Sequence, residues 1–299
     1  MFLSYAQRLE DHHLLAAFEG EGPGFYVDVG AGHPVADNAT FALYERGWSG
    51  LAVEPQEGLL ALYERVRPRD RRVGVLLGAE PGEAEFHAFA VLHGFSTTDG
   101  ALARRLAGDD VVTVTRRPVT TLAVLLAAHE VARIDLLKVD VEGAEAAVLA
   151  GNDWSRWRPR VVVAEAVEPG TMAPSHAAFE PILLAQGYRH ALFDGLNRFY
   201  VAPGEDALLA RLPREPAPWD AARHLYEFGR APERPDHPDH ALAAALVRGL
   251  MAGLPLLPEG VVAALLARAG VAADPASEAV RAALGRIAAP YDGGLMLDD

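Results

Sequence analysis

The residues that could do chemistry fall in two groups, a glycine turn with an acid downstream of it and a later set of carboxylates. Gly30 and Gly32 stand one residue apart, directly after the apolar run Phe25-Tyr26-Val27-Asp28-Val29. A buried strand running into a Gly-x-Gly turn brings bare backbone close to a ligand, because no Cβ stands in the way. Glu54 follows Asp28 by 26 residues and closes a second apolar run, Leu51-Ala52-Val53. That spacing predicts one β-α-β unit with an acid at the tip of its second strand, where two hydrogen bonds can hold a ribose diol. Farther along, Asp140, Glu142 and Glu165 end neighbouring predicted strands. Carboxylates there can accept a proton or hold a hard cation.

The ligand of the turn follows from what is missing. A dinucleotide fingerprint needs a third glycine, and Val35 occupies that place. Asp28 just before the turn disfavours a pyrophosphate and suits a ligand carrying positive charge. S-adenosylmethionine has a sulfonium, an amino group and a ribose, and no phosphate. The expected cofactor wall is Asp28, Gly30, Ala31, Gly32 and His33, with Glu54 and Pro55 at an exposed strand tip and Gly78-Ala79 at the end of a third strand. His33 could touch cofactor or substrate, or cap the following helix. Gln7 and Asp11 could close over the cofactor from an N-terminal helix, or serve as cap and surface charge. The plainest alternative is a β-α-β unit whose glycines only make a tight turn.

The elements that must position these groups can be read in order. A helix is predicted over 4–18, with His12 and His13 toward solvent. Others are predicted over 36–46, closed by Gly47 at C′, and over 57–67, stopped by Pro68. Main strands are predicted over 25–29, 51–54, 73–77, 134–140, 160–165, 188–193 and 198–201. Residues 85–89 and 111–115 read as a hairpin-like insert, with 95–99 in its loop. The fold class is therefore α/β, a seven-stranded, mostly parallel sheet with one antiparallel strand. Asp194 and Asn197 can be turn residues between the last two strands.

Prolines recur between 202 and 238, which predicts a linker over 221–238 after a first domain of 1–220. A helical extension over 239–299 follows, with helices near 241–251, 259–269 and 276–287, the last with Asp274 as N-cap and Pro275 at N1. Their Ala/Leu/Val faces predict packing or a homodimer rather than chemistry. The chain has 299 residues, is 51% hydrophobic and carries a net charge of −14. An acidic chain does not look like a nucleic-acid binder. With no cysteine, disulfides, thiolate metal sites and thiol nucleophiles are excluded. No signal-peptide pattern and no membrane span are read, so a cytoplasmic protein is expected.

The chain resembles the FkbM-type methyltransferases, a branch of the class I S-adenosylmethionine-dependent enzymes with a Rossmann-like sheet. The matching pieces are Ser4-Tyr5-Ala6-Gln7 with Glu10-Asp11, residues 25–40 (FYVDVGAGHPVADNAT), 44–55 (YERGWSGLAVEP), 137–149 (LKVDVEGAEAAVL), 158–165 (RPRVVVAE) and 193–202 (FDGLNRFYVA). Gly32 stands where the family more often has Asn, and Arg8 where Asn is common. The resemblance implies methylation of a hydroxyl on a sugar, glycolipid or polyketide-like natural product, so the partner is a small-molecule or glycan acceptor. In that frame Asp140, which also borders the cofactor, Glu165 and His33 are the candidates to take the acceptor's proton. Alternatively Asp140, Glu165 and Asp194 hold Mg²⁺, which would lower the hydroxyl pKa. The competing readings are a nucleotide-binding oxidoreductase and a non-catalytic S-adenosylmethionine-binding partner module.

Overall fold

A computed structural model of the chain describes residues 2–293, so the last six residues of the expected helical extension, 294–299, lie outside the described residues. The chain divides into two units, the first ending at His224 and the second beginning at Leu225.

The first unit is built on a seven-stranded sheet: β1 (Phe25–Val29), β2 (Ser49–Val53), β3 (Arg71–Val73), β4 (Leu136–Val139), β5 (Val161–Glu165), β6 (Arg189–Phe193) and β7 (Asn197–Val201). Its spatial order is β6-β7-β5-β4-β1-β2-β3. All neighbours are parallel except β7, which runs antiparallel to both β5 and β6. Strands β1, β2, β4 and β5 are buried almost throughout, as continuous apolar runs must be when helices cover both faces. Val27, Val29, Leu51, Val53, Leu137, Val139 and Val162 form one core with Leu122, Leu126, Val148 and Phe179. Strand order reverses between β1 and β4, and that reversal opens a crevice beyond the carboxyl ends of the strands.

Several expected elements differ. The third main strand is Arg71–Val73 rather than 73–77, and Leu76–Leu77 joins a separate three-stranded sheet with Gly82–Phe89 and Val112–Thr120. That insert is the expected antiparallel pair, but its connection carries a helix, Gly100–Leu106, capped by Asp99, whose carboxylate accepts from Ala101 N and Leu102 N. The helix after the glycine turn is short, Phe41–Glu45. The N-terminal helix covers only Glu10–Ala17. Before it, Leu3–Ser4 is a strand, and Asp11 accepts from Ser4 Oγ at 2.7 Å and Tyr5 N at 2.8 Å. Those side-chain bonds replace helical ones and leave Leu9 at φ 64°. His13 is buried, contrary to the solvent-facing expectation.

Within the proline-rich stretch, Arg223–His224 pairs in parallel with Leu3–Ser4, so the expected linker begins as part of the first unit. The second unit holds helices His240–Gly253, Glu259–Arg268 and Glu278–Ala288. The last is capped by Ser277, whose hydroxyl accepts from Val280 N, not by Asp274. No helix among the described residues is long and apolar enough to cross a membrane.

Candidate functional site

The glycine turn leaves β1 with Gly30 at φ 72° and Gly32 at φ 59°. Gly30 is required by space as well as by conformation, since a Cβ there would lie 1.7 Å from the Asp140 carbonyl oxygen. At Gly32 an added Cβ meets nothing within 4 Å, because that residue faces open space. Gly30 N and Ala31 N both donate to Val53 O, at 3.0 and 3.1 Å. Glu54 fastens the turn from β2: Oε2 accepts from Gly32 N at 3.0 Å and Oε1 from Gln56 N at 2.8 Å. Glu54 is thus buried rather than at an exposed tip. Burial pushes its carboxyl up, and the two backbone N–H groups oppose that.

Behind the turn lies a buried polar network. Asn38 Nδ2 donates to the carbonyls of Ala31 and His33, both at 3.1 Å, and Tyr63 donates to Ala31 O at 2.9 Å. Arg67, fully buried, donates to Asp70, Asn38, Tyr26 and Thr40. Asp28 belongs to this network: its Oδ2 accepts from Thr40 Oγ1 at 2.8 Å. Its Oδ1 is buried without a hydrogen-bond partner among the described residues, and Asp28 is not on the wall of the crevice.

The crevice encloses a cavity of about 780 Å³. Of the expected cofactor residues, Gln7, Gly30, Ala31, Gly32, His33, Glu54, Pro55 and Asp140 line it, as does Glu165. Asp11, Asp28, Gly78, Ala79 and Asp194 do not. Asp11 is consumed in the N-terminal turn described above. Val75, Leu76 and Leu77 form the wall where Gly78-Ala79 was expected, because the chain turns into the insert there and Gly78 N donates to Thr120 O. Asp194 closes the β6–β7 turn, its Oδ1 accepting from Leu196 N at 2.8 Å and Asn197 N at 2.6 Å.

The third member of the acidic group is therefore Glu142, not Asp194. Asp140, Glu142 and Glu165 each offer a carboxylate oxygen within 4.8 Å of the others. Burial first, and the Asp140 charge second, push Glu142 up to about 9 and Glu165 up to about 11. Glu145, whose Oε1 accepts from Val141 N and Gly143 N at 3.1 Å each, fixes the loop that carries Glu142. Lys138 was not foreseen. Its Nζ donates to Asp140 Oδ2 at 2.9 Å, and its Cα pairs across the strands with Asp28. Burial pulls Lys138 down, but the Asp140 and Asp28 carboxylates outweigh it and hold the ammonium above its ordinary range. The available signal was a lone acid in β1 and a lone lysine in β4, each inside an apolar run.

His33 lines the cavity with Nδ1 accepting from Val35 N at 3.1 Å and Ala36 N at 3.0 Å. In the neutral ring those bonds place the proton on Nε2.

The profile of the methyltransferase FkbM domain matches residues 28–190, which run from β1 into β6 and include the glycine turn, Lys138 and all of the acidic group. Neither the curated proteins nor the solved structures contain a match. The matched residues make up more than half of the 299, and the chain belongs to the FkbM methyltransferase family.

Proposed function

We propose that this methyltransferase has the class I fold, takes S-adenosylmethionine and methylates a hydroxyl of a sugar, glycolipid or polyketide-like natural product. The observation that carries the reading is that Gly32, Glu54 and the acidic group all line one cavity. Glu54 accepts from Gly32 N, Gln56 N and the Gln56 side chain, and the four acceptor positions of a carboxylate leave room for a ribose hydroxyl. The absence of a third glycine at Val35 favours this cofactor over a dinucleotide.

The cofactor supplies an electrophilic methyl on sulfonium. The chain's own residues orient the acceptor oxygen in line and take its proton. Asp140 is the carboxylate with a cation beside it, Lys138 at 2.9 Å, and is the proton acceptor. Glu165, which burial and the Asp140 charge push up, stands beside Asp140 on the cavity wall as a second carboxyl facing the acceptor. His33, on the cavity wall, is placed to touch the cofactor or the acceptor.

Calorimetric titration with S-adenosylmethionine and with NAD tests the cofactor. Binding of NAD alone would replace this reading with the oxidoreductase one. Formation of S-adenosylhomocysteine in the presence of a hydroxylated acceptor separates an enzyme from a binding module. The helices of the second unit we assign to packing or self-association as a homodimer. Leu242, Leu246 and Leu250 recur along one of them, and all three are exposed.

A further inference from the structure

We propose that Asp140, Glu142 and Glu165 form a site for one oxygen-preferring divalent cation, Mg²⁺ or Mn²⁺, in the wall of the cavity. The three carboxylates come from the end of β4, the loop after it and the end of β5, and each lines the cavity. Their donor oxygens lie within 4.8 Å of one another. Ligands across a Mg²⁺ ion stand about 4.2 Å apart and across Ca²⁺ about 5 Å, so the spread suits a hard cation after a small closure. The all-carboxylate donor set disfavours the softer metals.

A cluster of acids alone would not carry this. The independent observation is Glu142 itself. Its side chain is more than nine-tenths buried, and Oε2 has no hydrogen-bond partner. A buried acceptor left unpaired costs about 1–3 kcal/mol. Glu142 is also held at φ 53°, a conformation rare outside glycine, with Thr97 Oγ1 donating to its carbonyl at 2.9 Å. Backbone strain of this kind persists only where surrounding contacts impose it. Lys138 does not meet the need: among the described residues it pairs with Asp140 Oδ2 alone, leaving Asp140 Oδ1 and both glutamates without a cation.

A cation here would bind an acceptor hydroxyl as a further ligand and lower its pKa. That role rests on the methyltransferase reading, whereas the binding of the ion does not. The test uses the full chain, titrated with Mn²⁺ by paramagnetic resonance, with Mg²⁺ as competitor, and in parallel with S-adenosylmethionine by calorimetry. One Mn²⁺ per chain, displaced by Mg²⁺, is expected. Glu142→Gln and Glu165→Gln should each weaken it about tenfold or more, the scale of losing one charged ligand. Both variants are isosteric with the parent side chains, so they should melt close to the parent, which circular dichroism checks. Absence of stoichiometric Mn²⁺ binding, or equal binding by the parent and both variants, overturns the site. S-adenosylmethionine binding without Mn²⁺ binding sinks only the cation, and the reverse outcome sinks only the proposed cofactor.

Discussion

Alanine at Gly30 and at Gly32 should have opposite effects, although the two positions differ by two residues and both have positive φ. Placing a Cβ on a left-handed residue costs about 1–2 kcal/mol. At Gly32 that is nearly the whole effect on folding, because an added Cβ meets nothing within 4 Å. At Gly30 the Cβ would lie 1.7 Å from Asp140 O and 2.8 Å from Asp140 C. Both are backbone atoms, so β1 and β4 must part, and overpacking adds about 1–3 kcal/mol. With about 2–4 °C of melting temperature per kcal/mol in a unit of this size, Gly30→Ala should melt roughly 5–15 °C lower and Gly32→Ala only a few degrees lower. The order reverses for the cofactor. The Gly32 methyl projects into the cavity, where a cofactor in van der Waals contact has to shift. A loss of about 1–3 kcal/mol, roughly five- to 150-fold in Kd, is expected. Differential scanning calorimetry and titration with S-adenosylmethionine measure the two quantities. An unchanged Kd in Gly32→Ala would refute the placement of the cofactor against this turn. A Gly30→Ala melting point matching that of Gly32→Ala would refute the close approach of β1 and β4.

Glu54→Gln retains one acceptor oxygen but turns an NH₂ toward either Gly32 N or Gln56 N, so affinity for S-adenosylmethionine should fall by about 1–3 kcal/mol. Parent-like affinity would remove Glu54 from the ribose site. Burial holds His13 down to about 4, from 6.5 in an open chain. Between those values the unfolded chain binds a proton that the folded chain refuses, so stability falls as pH drops through that window. Urea melts from pH 7 to pH 4 should show the fall reduced in His13→Gln, and an identical slope would contradict the assignment. A chain ending at Arg230 retains every residue lining the cavity and should bind S-adenosylmethionine with altered oligomeric mass. A folded, soluble truncation that no longer binds would contradict a packing role for the second unit.

Where the sequence was legible, burial and strand identity coincided. Strands β1, β2, β4 and β5 are continuous apolar runs that end at glycine or acid, and their carboxyl ends place Gly30, Glu54, Asp140 and Glu165 around one cavity. The reading failed where the two signals part. Val75-Leu76-Leu77 is apolar because it walls the cavity and starts the insert, whereas β3 is an edge strand that begins with two exposed arginines. Apolar pattern reports burial, not membership of a particular sheet. The N-terminal helix failed for another reason. Asp11 offers its carboxylate to Ser4 and Tyr5, and such local side-chain bonds compete with helical ones without leaving any periodic trace.

Asp28 is the most instructive misplacement. A carboxylate inside an apolar strand must find a partner, and a cationic ligand is one way to supply it. The chain supplies its own instead. In the parallel register of β1 and β4, Asp28 pairs with Lys138, and Val29 with Val139. Lys138 sits between Asp28, which faces the Arg67 network, and Asp140, which faces the cavity. One ammonium is shared by an acid behind the turn and an acid on the cavity wall. The electrostatics of the cavity therefore depend on a buried cross-strand pair that only strand register reveals. Glu142 and Glu165 feel that ammonium too, but burial and the neighbouring carboxylates outweigh it at both.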